Sequence, residues 1–152
     1  MNDPFQPITI LMAEDDPDDR LLTQEALTES RLTNGIYFVE DGIELLDYLN
    51  QRGKYASSVD SPQPDIILLD LNMPRMDGRE ALEAIKADSK LRRIPIVVLT
   101  TSKAEEDVLR SYDLGVSGFI TKPITFDGLI EAMRIVGEYW FSIVKLPPRK
   151  RR

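Results

Sequence analysis

ITILMAEDDPDD, Ile8 to Asp19, joins a run of six mostly aliphatic residues to five carboxylates packed into six positions. The run has the length and composition of a strand. It shows no clean alternation of apolar and polar positions, as expected where both faces of a parallel strand are covered. Carboxylates at this density repel one another unless a positive group lies among them. Asp16 can cap a helix and Pro17 suits its first position, so the chain is expected to pass from strand to helix here.

The same unit recurs along the chain. IYFV (Ile36 to Val39), DIILLD (Asp65 to Asp70), IPIVVLT (Ile94 to Thr100) and GFIT (Gly118 to Thr121) are short, β-branched or aliphatic, and bounded by turn residues. Helices are predicted over Pro17 to Glu29, Gly42 to Gln51, Gly78 to Ala87, Lys103 to Leu114 and Phe126 to about Val144. Five strands alternating with five helices imply an α/β fold with a doubly wound five-stranded parallel sheet. In such sheets the functional crevice lies at the C-terminal ends of the strands, near a topological switch point. One connection breaks the rhythm: RGKYASSVDSPQP, Arg52 to Pro64, is long for an α/β unit and reads as a surface insertion.

Composition narrows the function. At 152 residues the chain is expected to form one domain, and 42% hydrophobic with 30% charged residues suits an ordinary globular protein. No apolar run is long enough to span a bilayer, and MNDPFQP at the N-terminus is acidic where a signal peptide would be basic and then apolar, so a cytoplasmic location is expected. The absence of cysteine excludes disulfides, a thiolate nucleophile and a zinc-thiolate cluster. Without histidine there is no Ser-His-Asp triad, no zincin helix and no autophosphorylating histidine. The net charge is -7 although the last four residues, Arg149 to Arg152, are all basic, so the rest is acidic enough to repel a nucleic acid backbone. The tail RKRR reads as a solvated end, with a weak electrostatic contact as the other reading.

The strand-end rule gathers the reactive side chains. Glu14, Asp15 and Asp16 follow the first strand, Asp70 and LNMPRMDG the third, Thr100, Thr101 and Ser102 the fourth, and Lys122 and Pro123 the fifth. Acids with neither Arg nor His between them point to a hard divalent cation held by oxygen, and Mg2+ suits one or two carboxylates plus water. A lysine charge and a threonine hydroxyl suit phosphoryl oxygens, and a carboxylate at the centre can be the nucleophile that forms an aspartyl phosphate.

MAEDDP, IILLDLNMPRMDG, VVLTTS and GFITKP, in this order and spacing, closely resemble the receiver domain of two-component response regulators, from about Ile8 to Val144. The resemblance implies a flavodoxin-like receiver fold over residues 8–146, with an N-terminal extension 1–7 and a basic tail 147–152. It implies Asp70 as phosphoacceptor and metal ligand, Asp15 as a direct Mg2+ ligand, Glu14 acting mainly through water on the ion, and Asn72 contributing its backbone carbonyl. Thr100 would sense the phosphoryl group and Lys122 would pair with it, while Pro123 would hold the lysine loop through a cis bond. Phe119 would be the aromatic that turns between outward and inward positions, although an aromatic at that place also reads as core. Thr101 stands where a smaller residue is frequent, and Ser102 lacks the acid or amide of some receivers. The implied reaction is phosphoryl transfer from a histidine kinase to Asp70, with self-catalysed phosphorylation and dephosphorylation in a signalling protein rather than an enzyme with an external product.

Other classes fare less well. The haloacid dehalogenase phosphatases also form an aspartyl phosphate but resemble Asp-x-Asp, where Asn72 stands here. No Walker A or G-x-G-x-x-G pattern occurs. No DNA-binding domain is expected after the receiver. The last predicted helix carries one apolar stripe for the sheet (Leu129, Met133, Val136, Trp140, Ile143) and a second (Ile135, Tyr139, Leu146, with Phe141 nearby) that favours a homodimer face over a cover by its own C-terminal segment. The long connection before the third strand, together with EYWFSIVKLPP, resembles the small regulators paired with phytochrome histidine kinases; a chemotaxis-like or phosphorelay receiver is the alternative.

Overall fold

The computed structural model describes residues 8–30, 33–57, 60–122, 125, 127–128 and 131. Strands β1 (Ile8–Ala13), β2 (Thr33–Val39), β3 (Ile66–Asp70), β4 (Ile96–Thr100) and β5 (Gly118–Thr121) form one parallel sheet in the order β2-β1-β3-β4-β5. Helices α1 (Pro17–Ser30), α2 (Gly42–Leu49), α3 (Gly78–Ala87) and α4 (Lys103–Arg110) flank it, and Asp127, Gly128 and Glu131 are helical as well. The fifth expected helix, with its proposed dimer face, falls largely outside the described residues, as does Pro123.

Alternate residues of each strand serve opposite faces of the sheet, which is why the strands read as unbroken apolar runs. Leu11, Ala13, Ile67, Leu69, Ile96 and Val98 pack with Leu45, Tyr48 and Leu49 of α2, Ala81, Leu82 and Ile85 of α3, and Leu109 of α4. Ile10, Met12, Ile66, Leu68, Val97, Leu99 and Ile120 point the other way, toward Ala26 and Leu27 of α1. After β1 the chain goes to β2 on one side and then crosses back to β3 on the other. The switch point therefore lies between β1 and β3.

Several boundaries differ from expectation. β2 begins at Thr33, earlier than the apolar run alone indicates, because pairing with β1 carries it there. Helix α2 stops at Leu49 rather than Gln51, which takes a left-handed φ of 55° that a helix cannot include. Helix α4 stops at Arg110 rather than Leu114, ahead of the left-handed Asp113 (φ 52°) and Gly115 (φ 75°). The described residues of the 52–64 surface insertion pack back on the domain. A 3-10 turn, Gly53–Tyr55, folds back on α2, where the Tyr55 hydroxyl donates to Glu44, Lys54 pairs with Glu44 at 3.0 Å, and the Tyr48 hydroxyl donates to the Pro62 carbonyl at 2.8 Å. The Tyr48 and Tyr55 rings lie 5.0 Å apart.

Candidate functional site

Parallel register assembles the site. Ala13 sits opposite Leu69 and Asp70 opposite Leu99, so Glu14 and Asp70 emerge side by side at the C-terminal edge, at the switch point. The Glu14 N–H donates to the Val39 carbonyl at 2.9 Å, fixing the turn out of β1. Thr100 pairs with Thr121, and the Lys122 N–H donates to the Thr100 carbonyl at 2.7 Å, which aims the lysine back across β4. Its Nζ lies 3.0 Å from Asp70 Oδ2, 3.0 Å from Glu14 Oε1 and 3.3 Å from Asp19 Oδ2. Asp70 itself is 1% exposed, and its Oδ1 accepts from the Asn72 N–H at 3.1 Å.

Backbone constraints hold Asp70 in place. Asp77 caps α3 in a reciprocal pair with Glu80, as its Asp-Gly turn signal implies. A Cβ on Gly78 would lie 2.3 Å from the Asp70 carbonyl oxygen and 2.7 Å from Leu71 Cα. Only glycine lets the start of α3 approach the end of β3 this closely.

The electrostatics are those of crowded acids around one lysine. Burial pushes the Glu14 carboxyl up to about 7; Lys122 pulls it down, and the nearby Asp70 charge adds to the rise. Burial works against the Lys122 charge, but Glu14 and Asp70 outweigh it and raise its pKa. Glu14, Asp15 and Asp70 each bring a carboxylate oxygen to within 4.8 Å of the others. Glu14 Oε1 is fully buried and pairs with the Lys122 ammonium at 3.0 Å. The oxygen-only donor set of Glu14, Asp15 and Asp70 fits a divalent cation.

Thr100 is completely buried and its hydroxyl has no hydrogen-bond partner. Ser102 caps α4, accepting from the Glu105 N–H at 3.1 Å. Phe119 stands away from the acids, between the larger core and the Arg110 guanidinium, which lies 4.3 Å above its ring. Asp16 accepts from the Asp18 N–H at 2.9 Å, the cap expected of it.

Sequence reasoning missed three residues. Asp19 reaches Lys122 from the first turn of α1. Its neighbour Arg20 donates to the Glu14 carbonyl at 2.6 Å and stacks on Phe38, 5.1 Å from the ring centroid. Glu105 bridges Thr101 and Asn72. A helix starting at Pro17 necessarily sets its first turn beside the end of β1, and that was the available signal for Asp19 and Arg20.

The fold and site are those of a signalling receiver, and the chain matches the response regulator receiver domain over residues 10–134; it belongs to that family. The curated relative "Response regulator Rcp1" of Synechocystis sp. is 41% identical over 141 residues, 93% of this chain and 94% of that protein. The structure of the bacteriophytochrome response regulator RtBRR is similar with a TM-score of 0.81 and 39% identity, covering 94% of this chain and 86% of that one. The phosphorylated cyanobacterial phytochrome response regulator RcpA gives a TM-score of 0.73 at 44% identity over 90% of this chain and 95% of that one. Rcp1 has also been solved in a Mn2+-bound form, with a TM-score of 0.72 and 40% identity over 91% of this chain and 97% of that one. The flavodoxin-like receiver fold expected from the motifs is the fold observed. No helix among the described residues is long and apolar enough to cross a membrane.

Proposed function

We propose that this response regulator accepts a phosphoryl group on Asp70 from a phytochrome-type histidine kinase in a Mg2+-dependent, self-catalysed reaction. The observation that carries the reading is a buried Asp70 beside Glu14 at the sheet's switch point, with Lys122 bridging the two carboxylates. Asp70 attacks the phosphorus of the kinase phosphohistidine in line, the N–P bond breaks, and its electron pair stays on the imidazole. The Asn72 N–H on Oδ1 sets the carboxylate's orientation. Lys122 leaves Asp70 Oδ2 for a phosphoryl oxygen, and the unpartnered Thr100 hydroxyl donates to another. Glu14, Asp15, Asp70 and the Asn72 carbonyl would hold Mg2+, which supplies neutralising charge at the crowded carboxylates. Hydrolysis by water resets the site.

Movement of Thr100 toward the phosphoryl group opens room for Phe119 to leave its stack on Arg110 and turn inward, altering the face of α4 and β5. The output is carried by protein contacts in the cytoplasm, through a homodimer built on the last helix. Support for the phytochrome partner comes from RtBRR and RcpA, which are phytochrome response regulators, and from the long connection before β3 together with EYWFSIVKLPP.

The test is intact mass after incubation with acetyl phosphate and Mg2+, beside Asp70→Asn, with size-exclusion chromatography of the same samples. One added phosphoryl group that requires Asp70 and Mg2+ is expected, with earlier elution of the phosphorylated form. Full modification of Asp70→Asn would refute the assignment.

A further inference from the structure

Glu105, the third residue of α4, spans the mouth of the site. Its Oε1 accepts from the Thr101 N–H at 2.7 Å and from the Thr101 hydroxyl at 3.2 Å, while Oε2 lies 3.4 Å from the Asn72 side-chain amide. One carboxylate therefore ties the β4–α4 turn to the β3–α3 loop. Both attachment points adjoin the reacting groups. Asn72 donates its backbone N–H to Asp70, and Thr101 directly follows Thr100, whose buried hydroxyl is unpartnered.

A phosphoryl group on Asp70 brings roughly two negative charges and three strong acceptor oxygens to this edge. The donors around it belong to Lys122, Thr100, Thr101 and Asn72. At rest Glu105 already holds those of Thr101 and the Asn72 side chain, with the same chemistry a phosphoryl oxygen would use, an anionic oxygen on N–H and O–H donors. Two anions cannot share these donors at close range without strong repulsion.

We propose that Glu105 is an internal competitor for the phosphoryl group, occupying the donors of Thr101 and Asn72 at rest and displaced from them when Asp70 is phosphorylated. This rests on the reading of Asp70 as phosphoacceptor and adds to it a regulating residue. Because Glu105 lies in the first turn of α4, its release also frees the start of that helix, giving the chemistry a direct mechanical route to α4 besides the one through Thr100 and Phe119.

The test compares wild type, Glu105→Ala and Glu105→Gln in initial rate of phosphorylation by acetyl phosphate at saturating Mg2+, read by intact mass, with circular dichroism to confirm folding. Loss of the competing anion is expected to speed Glu105→Ala about threefold to tenfold, and Glu105→Gln, which keeps an acceptor without the charge, by less. Amide hydrogen exchange at Thr101 is expected to quicken in unphosphorylated Glu105→Ala. A carboxylate that merely straps the loops would give the opposite, folded variants with equal or slower phosphorylation, and that result would overturn the inference alone. Wild-type protein that took up no phosphoryl group on Asp70 would overturn both this inference and the function beneath it.

Discussion

Glu14 has no solvent exposure and a like-charged neighbour in Asp70, and it keeps its proton up to about pH 7 where an ordinary glutamate loses it near 4.5. Between these two values the native state binds a proton that the unfolded chain has released, so the stability this group contributes falls as pH rises from about 4.5 to about 7. Asp41 works in the other direction. Burial opposes its charge, but Arg75 at 2.7 Å and the α2 amides outweigh burial and depress its pKa, so its contribution is lost only as pH falls into the acid range. The metal-free protein is therefore expected to melt highest near pH 5 and several degrees lower at pH 7.5, and Glu14→Gln should flatten that decline; thermal denaturation across pH measures both. Mg2+ affinity should rise between pH 6 and 7.5 as the Glu14 proton ceases to compete, with proton release visible by calorimetry in buffers of different ionisation enthalpy. Thr100→Val removes a buried hydroxyl that bonds to nothing, so it is expected to stabilise the unphosphorylated fold by about 1 kcal/mol in urea unfolding while weakening the response to phosphorylation. At this scale Glu14, Asp70, Thr100 and Lys122 were legible because each sits where a strand ends, and strand ends share one edge. Asp19 and Arg20 were signalled only by the helix start at Pro17 and Glu105 not at all, because whether a helical side chain reaches that edge depends on helix phase and rotamer.

Elements are held together by a few close approaches, and these give the sharpest tests. Gly78→Ala would force its methyl against the Asp70 carbonyl and Leu71 backbone, neither of which can swing away as a side chain could. A loss of about 3 kcal/mol is expected in denaturant unfolding, together with slower phosphorylation, because Asp70 itself must shift. The 52–64 segment offers a milder case. Tyr55→Phe removes the hydrogen bond to Glu44 and leaves the tilted ring contact with Tyr48 intact, so a cost of about 1 kcal/mol and faster proteolysis of the segment are expected. All five strands and the first four helices were legible from apolar runs and cap residues. The ends of α2 and α4 were not, since they are set by left-handed residues, two of them neither glycine nor asparagine, Gln51 and Asp113. The contact of Tyr55 with Tyr48 was equally hidden, because a Ser- and Pro-rich stretch says nothing about a tyrosine folding back on α2.

For the molecule as a whole, the strand order β2-β1-β3-β4-β5 explains why acids so far apart in sequence meet at all. Glu14 and Asp70 are separated by two helices and the whole of β2, yet the reversal of winding makes β1 and β3 neighbours. A ligand bound at that junction ties both halves of the sheet together. A divalent cation at about 100 times its Kd should therefore raise global stability by about 2.7 kcal/mol over the chelator-treated protein, seen as one cooperative shift in the melting curve. The lysine at the same junction has a broader consequence. Nζ of Lys122 stands within ion-pairing distance of three carboxylates, so at rest it has no charge to spare. A stray sulfate or metabolite would have to evict a carboxylate to gain a hold, which few passing anions can do. Selectivity in this protein thus begins with silence, a receiver whose background noise is kept low because the lysine among its acids is already engaged.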